Sequence, residues 1–334
     1  MREVAFIKQN KDKWLEVEAV LNERKPISPD QMADYYVQLL GDLSFAQTYY
    51  PKSNTVTYLN FLVTQIYQKI YKTKRIEKNR LKFFFTDYVP MLAYKYRKLI
   101  YFSFILFFFF ALVGTLSAYY EPRYVRAIMG DTYINKTLEH IERGDPMAIY
   151  KQGSNWATAI AITFNNIRVA FYCFLCGITA GTVTFLMALQ NAVMLGAFTY
   201  FCYDMGVIDA ALRALWLHGA MEIFSIIIAI AAGFVLTGGI LFPKTYSRML
   251  SFKIAFKEGM SLLFGTVPFF IAAGFIEGFI TRYYYDMPLW LNLTIILGTL
   301  AVITYYFLIY PIVKHYKSNS QKYERFYFLQ EKRL

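Results

Sequence analysis

From residue 99 onward the chain alternates long uncharged stretches with short charged breaks. The stretches 99–118, 169–203, 223–243 and 288–313 contain no Asp, Glu, Lys or Arg. A membrane helix needs about 20 predominantly apolar residues. With their flanks these runs predict six spans, about 99–119, 160–188, 190–206, 218–242, 260–281 and 288–313. The second and third are separated only by the polar step around Leu189–Asn191. They form either a tight helical hairpin of two full crossings or a broken, re-entrant element.

Residues 1–98 follow another rule. Charges recur throughout, and apolar positions fall at helical spacing. A first helix is expected from Phe6 to about Arg24. The stretch "PISPDQ" opens a second, with Ser28 as N-cap, Pro29 in the first turn and Gln31 at the capping-box position. Helices over roughly 29–49 and 54–73 carry the ladders Tyr35, Leu39, Leu43 and Leu59, Leu62, Ile66, Ile70. The reading is a small helical bundle, packed on itself or on a membrane, or offering a docking face to a partner. Without an early apolar core, no signal peptide is expected. The fold class is therefore all-α: a polytopic helical membrane protein. It comprises an N-terminal helical region (1–98), a membrane core (99–313) and a basic tail (314–334).

Composition agrees. Of 334 residues 57% are hydrophobic and only 17% charged, against about 45–50% and 25% in a soluble domain. The net charge of +12 would suit nucleic acid, but its placement does not. With the N-terminus in the cytoplasm, six crossings leave 27 of the 35 basic residues inside, seven outside and Arg168 within a span. This is the positive-inside pattern, with both termini cytoplasmic. Lys69, Lys72, Lys74, Arg75, Lys78, Arg80 and Lys82, followed by Phe83, Phe84 and Phe85, read as an interfacial segment on an anionic lipid surface. Lipids, not nucleic acid, are the expected partner. Cys173, Cys176 and Cys202 all lie in apolar runs. They read as small packing residues, with a redox pair at Cys173–Cys176 as the alternative.

The segment 120–159 faces the outside in this topology. Asp131 is expected to cap a helix carrying Ile134, Leu138 and Ile141, which Gly144 ends. "NKT" at 135–137 matches a glycosylation sequon, a common chance pattern. His140 between Glu139 and Glu142 reads as a solvated helix face.

Polar groups inside a membrane are costly and turn toward the protein interior or water. Here they are Asn165, Asn166, Arg168, Asn191, His218, Glu222 and Glu277. His218 and Glu222 are four residues apart and share a helix face. A bare carboxylate at mid-membrane costs on the order of 3 kcal/mol, so these side chains are expected to meet one another in the outer half of the membrane. No resident metal or cofactor is expected; His218, Glu222 and Glu277 are the alternative ligand set for a zinc-type ion. Gly177, Gly181, Gly219, Gly274 and Gly278 are candidates for close helix packing.

Four motifs occur in order: "FNNIRVA" (164–170), "QNAVMLGAF" (190–198), "HGAMEI" (218–223) and "IAAGFIEGF" (271–279). They resemble the membrane core of the stage II sporulation protein M family, over about 99–313. The resemblance implies motif residues Asn165, Asn166, Arg168, Asn191, His218, Gly219, Glu222 and Glu277. It also implies an integral protein of the bacterial cytoplasmic membrane that holds peptidoglycan-remodelling partners. The chain departs from the sporulation type in its long N-terminal region and helical outer segment. The leading expectation is a non-enzymatic scaffold that binds other envelope proteins and self-associates as a homo-oligomer. A transporter or channel using the polar cluster is the first alternative. An intramembrane metallo-enzyme is the second.

Overall fold

The computed structural model describes residues 2–21, 28–71, 79–148 and 154–317. Every regular element among them is helical. The chain divides into two units, Met1–Lys78 and Asn79–Leu334.

The first unit holds α1 (Glu3–Leu21), α2 (Pro29–Tyr49) and α3 (Asn54–Tyr71). The capping box at Ser28 and Gln31 forms as expected, each side chain bonding the other's backbone N–H. Leu39, Leu59, Leu62 and Ile66 are fully buried against Phe6, Trp14 and Val17 of α1. Ile70, the last rung of the expected ladder, is exposed. Trp14 donates its indole N–H to Asp42 Oδ2 at 2.8 Å, and Lys13 pairs with the same carboxylate. Lys69 Nζ donates to the carbonyls of Val20 and Leu21 at 3.2 and 2.8 Å. It therefore neutralises the C-terminal end of α1. Of the other basic residues expected at a lipid surface, Lys72, Lys74, Arg75 and Lys78 lie outside the described residues. Arg80 and Lys82 are exposed on α4 (Arg80–Phe83).

The second unit opens with α4, a wide π-turn at Phe84–Tyr88 and α5 (Val89–Lys95). Their backbone is fastened to the last long helix. Tyr306 donates to the Phe85 carbonyl at 2.8 Å, Tyr310 to Thr86 at 3.0 Å, and Lys314 pairs with Asp87 at 2.8 Å. The membrane helices follow: α6 (Arg97–Tyr120), α9 (Asn155–Leu175), α10 (Thr182–Asp204), α11 (Ile208–Leu241), α12 (Arg248–Phe279) and α13 (Leu289–Thr304). The last continues helically to Lys317, and α9 is extended by a 3-10 turn to Thr179. Among the described residues these six are long and apolar enough to cross a membrane. Between α6 and α9 lie α7 (Arg123–Met129) and α8 (Asp131–Glu142).

Three expectations are corrected. The link between the second and third spans lies at 176–181, not 189–191. Ala180 and Gly181 adopt left-handed backbone, φ 53° and 82°, which reverses the chain and which glycine accepts without strain. Gln190 and Asn191 instead sit mid-helix, where Asn191 donates to its own helix at Met187 O, 2.8 Å. Asp131 does not cap α8; it pairs with Arg126 at 3.0 Å, and Gly130 occupies the cap position. The helices α11 and α12 start ten and twelve residues before the expected spans, at Ile208 and Arg248.

α11 is the central post. Ala, Gly and Ile positions along it are buried on all sides, against α6, α9, α10, α12 and α13. Glycines bring its neighbours to backbone contact, as expected of membrane helices. A Cβ at Gly177 would strike the Gly233 carbonyl, one at Gly274 would strike Thr163, and one at Gly278 would lie 2.7 Å from the Asn155 carbonyl. Gly181 is both a turn residue and a packing one: a Cβ there would lie 3.0 Å from Thr237 of α11. Gly219 meets nothing nearer than 3.8 Å and faces open space. The pairs that sequence reasoning missed are Gly114 against Val193 and Gly196 against Ala111, where α6 crosses α10. Buried apolar residues form two clusters, one around Phe107, Phe174, Ile227 and Phe307 and one around Val125, Ile134, Phe198 and Tyr284.

Candidate functional site

A cavity of about 630 Å³ opens where the two apolar clusters meet. Its walls draw Phe107 from the first and Phe198 from the second. Its polar lining comes from four helices: Asn165 and Asn166 on α9, Asn191 on α10, His218 and Glu222 on α11, and Glu277 near the end of α12. Ile128 and Met129 of α7 and Tyr133 of α8 complete the wall.

Each placement follows from local sequence. His218 and Glu222 are one helical turn apart, so one face of α11 presents both. Gly219, between them, lines the cavity and keeps its wall open. Glu277 reaches the same place because Gly274 and Gly278 let α12 lie close on α9. His218 and Glu277 are buried. Their Nε2 and Oε2 atoms are 3.7 Å apart. One ligand-type atom from each of His218, Glu222 and Glu277 falls within 4.8 Å of the others.

Two further side chains adjoin this cluster. Thr281, in the turn just past α12, places its hydroxyl 3.1 Å from His218 Nδ1 and donates it to the Ile276 carbonyl at 3.3 Å. The Thr281 contact engages the ring at Nδ1, and Nε2 faces Glu277. Asn166 lines the cavity together with Glu222. The Glu222 Oε1 atom is buried with no hydrogen-bond partner among the described residues.

Arg168 meets one expected partner, Asn165, but does not line the cavity with His218, Glu222 and Glu277. It is exposed and donates to Asn165 Oδ1 at 3.0 Å. No lysine or arginine lines the cavity among the described residues, so the two carboxylates have no permanent cation beside them. The arrangement therefore favours a bound cation or protons over an anion. Tyr133 adds a neutral phenol to the wall: burial, with smaller contributions from Cys202 and Glu277, pushes its pKa up to about 12.

Sequence reasoning missed Thr281, Tyr133 and the α7–α8 wall. Thr281 follows Glu277 by four residues, the spacing that also separates His218 and Glu222; that repeat is a usable signal. The stripe Ile134, Leu138 and Ile141 marks an apolar face of α8 that does pack inward, but it does not reveal that α7 and α8 wall the polar cluster. Cys173 and Cys176 are both free thiols; Cys173 is buried, and its carbonyl accepts from Thr184 at 2.9 Å.

Six membrane-length helices around an internal polar cavity define a multi-pass helical membrane protein. The chain belongs to the stage II sporulation protein M family, which matches residues 103–282. All of the polar lining lies within that range. A domain family of unknown function matches residues 4–72. No curated protein and no solved structure matches the chain.

Proposed function

We propose that the membrane core binds a small cation in this cavity and moves it across the bacterial cytoplasmic membrane, with both termini on the cytoplasmic side. One observation carries the reading. Two carboxylates and an imidazole converge on an open 630 Å³ space with no lysine or arginine in its lining among the described residues. A cluster that only locked helices together would be packed shut and satisfied from within. This one adjoins open volume and keeps an unpartnered carboxylate oxygen. Titratable groups placed so within a membrane are the usual equipment of ion pathways. The test is flux into proteoliposomes, read with trapped proton- and cation-sensitive dyes under an imposed potential. Wild type is expected to exceed empty liposomes, and Glu222→Gln to return flux to that baseline. Wild-type flux equal to empty liposomes for protons and every cation offered removes transport.

A second reading, an envelope scaffold, draws on the family description and on the separate helical unit of residues 2–71. That unit exposes Val4, Val37 and Phe61 (77%, 67% and 56%), which suits a protein partner or a second copy of the chain. Cross-linking in native membranes tests it. Adducts with other envelope proteins that disappear on Val37→Asp and Phe61→Asp support it; adducts unchanged by both substitutions count against it.

A further inference from the structure

The geometry points to a specific occupant for the cavity: a divalent transition-metal cation of the zinc type, ligated by His218, Glu222 and Glu277. The inference rests on reading the cavity as a binding site, though not on flux through it. Tetrahedral sites hold N and O ligands at about 2.0–2.2 Å, which sets neighbouring ligand atoms about 3.3 Å apart. The three side chains already bring their atoms within 4.8 Å, with His218 and Glu277 at 3.7 Å. Side-chain rotations moving these atoms about an ångström close the set.

The surroundings point the same way. A metal-binding imidazole is held through its second nitrogen, which fixes tautomer and ring orientation. Here Thr281 engages Nδ1 and Nε2 faces Glu277; a bound metal would select the tautomer with its proton on Nδ1. A ligating carboxylate is likewise held by hydrogen bonds, and Asn166 lines the cavity with Glu222. Glu222 Oε1 is buried without a hydrogen-bond partner among the described residues, and a bound cation would satisfy it. Charge agrees: two carboxylates and a neutral imidazole carry −2, which one divalent cation cancels inside a low-dielectric core. One nitrogen with two oxygens suits Zn²⁺, Mn²⁺ or Fe²⁺ better than Mg²⁺ or Ca²⁺, which take oxygen sets. Three protein ligands leave a fourth position toward the cavity and its asparagines.

Zn²⁺ binding to the chelator-stripped, detergent-solubilised full chain tests this. Co²⁺ serves as a second probe, through its visible ligand-field bands. Wild type is expected to take up one Zn²⁺ per chain; Glu222→Gln and Glu277→Gln abolish uptake. Thr281→Val is expected to weaken affinity 10–100-fold and shift the Co²⁺ bands, while Thr281→Ser restores both. These two variants keep the test decisive if the glutamate variants fail to fold. Sub-stoichiometric Zn²⁺ binding by wild type overturns the inference, as does Zn²⁺ affinity untouched by Thr281→Val. Stoichiometric Zn²⁺ without flux leaves the site standing and removes transport. Flux without Zn²⁺ binding does the reverse.

Discussion

The two units of this chain differ in what they leave exposed and in what settles their packing. In the N-terminal unit, Trp14, Leu39, Leu59, Leu62 and Ile66 are inside, and charges stay near the surface, tied to neighbours such as Asp42. In α6 of the membrane core the large apolar residues Ile105, Phe108, Phe109 and Leu112 are exposed (71%, 50%, 58% and 56%), while Ser103, Gly114 and Ala118 are buried alongside Ile100, Phe107 and Phe110. Water rewards hiding hydrocarbon, so hydrophobicity sorts inside from outside in the first unit. Lipid offers no such reward. Packing there is settled by small residues that admit close approach and by polar residues that need partners. One chain thus shows the same twenty side chains sorted by two different solvents.

The largest expected break in that comparison is Trp14→Ala. It removes the biggest side chain of a water-driven core and the bond to Asp42, at a cost of about 3–5 kcal/mol to the first unit. Hydrogen exchange of the full chain should show protection lost across α1–α3 and kept in α6 and α11. Loss of protection in both would mean that the two units do not fold by separate rules.

Next in size is Gly233→Val, the membrane counterpart. A Cβ there collides with the Cys173 carbonyl and lies 2.8 Å from Thr184. Neither the backbone oxygen nor the Thr184 hydroxyl bound to it can step aside. Overpacking of this kind costs about 1–3 kcal/mol, and the upper end is expected. The check is a lower melting temperature of the detergent-solubilised core with α1–α3 exchange unchanged. A silent substitution would mean that α9 and α11 are not held by backbone approach.

The same contrast governs what is legible in the residues alone. The spans are visible because some twenty residues without a charge are the length and chemistry a bilayer core demands and a water-facing helix avoids. Their ends are hidden: Asp209, Arg213, Lys253 and Glu258 look like boundaries, yet α11 and α12 run straight through them. The polarity of Gln190–Asn191 mimics a loop and outweighs the true turn at Gly181, although Asn191 is satisfied within its own helix. Among candidate site residues, the buried His and Glu are conspicuous because they are expensive in lipid. Arg168 is equally conspicuous but lies on another face, which charge alone does not reveal. Thr281 and Tyr133 are ordinary residues whose role comes from the turn and the covering helix that carry them.

A smaller effect separates membrane-surface charge from helix capping. Spacing along the chain groups Lys69 with a lipid-binding patch, yet its ammonium sits on the last carbonyls of α1. Lys69→Met keeps the aliphatic stem and removes the charge. It is expected to cost the N-terminal unit about 1 kcal/mol, read as faster exchange at the C-terminal end of α1. Binding to anionic vesicles should change little. Weaker vesicle binding with α1 unaffected would return Lys69 to the lipid surface.

The smallest expected effect is also the sharpest test of the lipid rule. Phe109 is 58% exposed on α6, in the middle of a span. In the first unit, shrinking a buried aromatic should be costly. Here lipid touches either side chain equally well, so Phe109→Leu should change core stability in detergent by no more than about 0.5 kcal/mol. Melting of the variant beside wild type, at several protein concentrations, reads this directly. A drop well beyond that, growing on dilution, would mean that a second copy of the chain covers this face of α6. Phe109 would then be sorted by a protein interface and not by lipid.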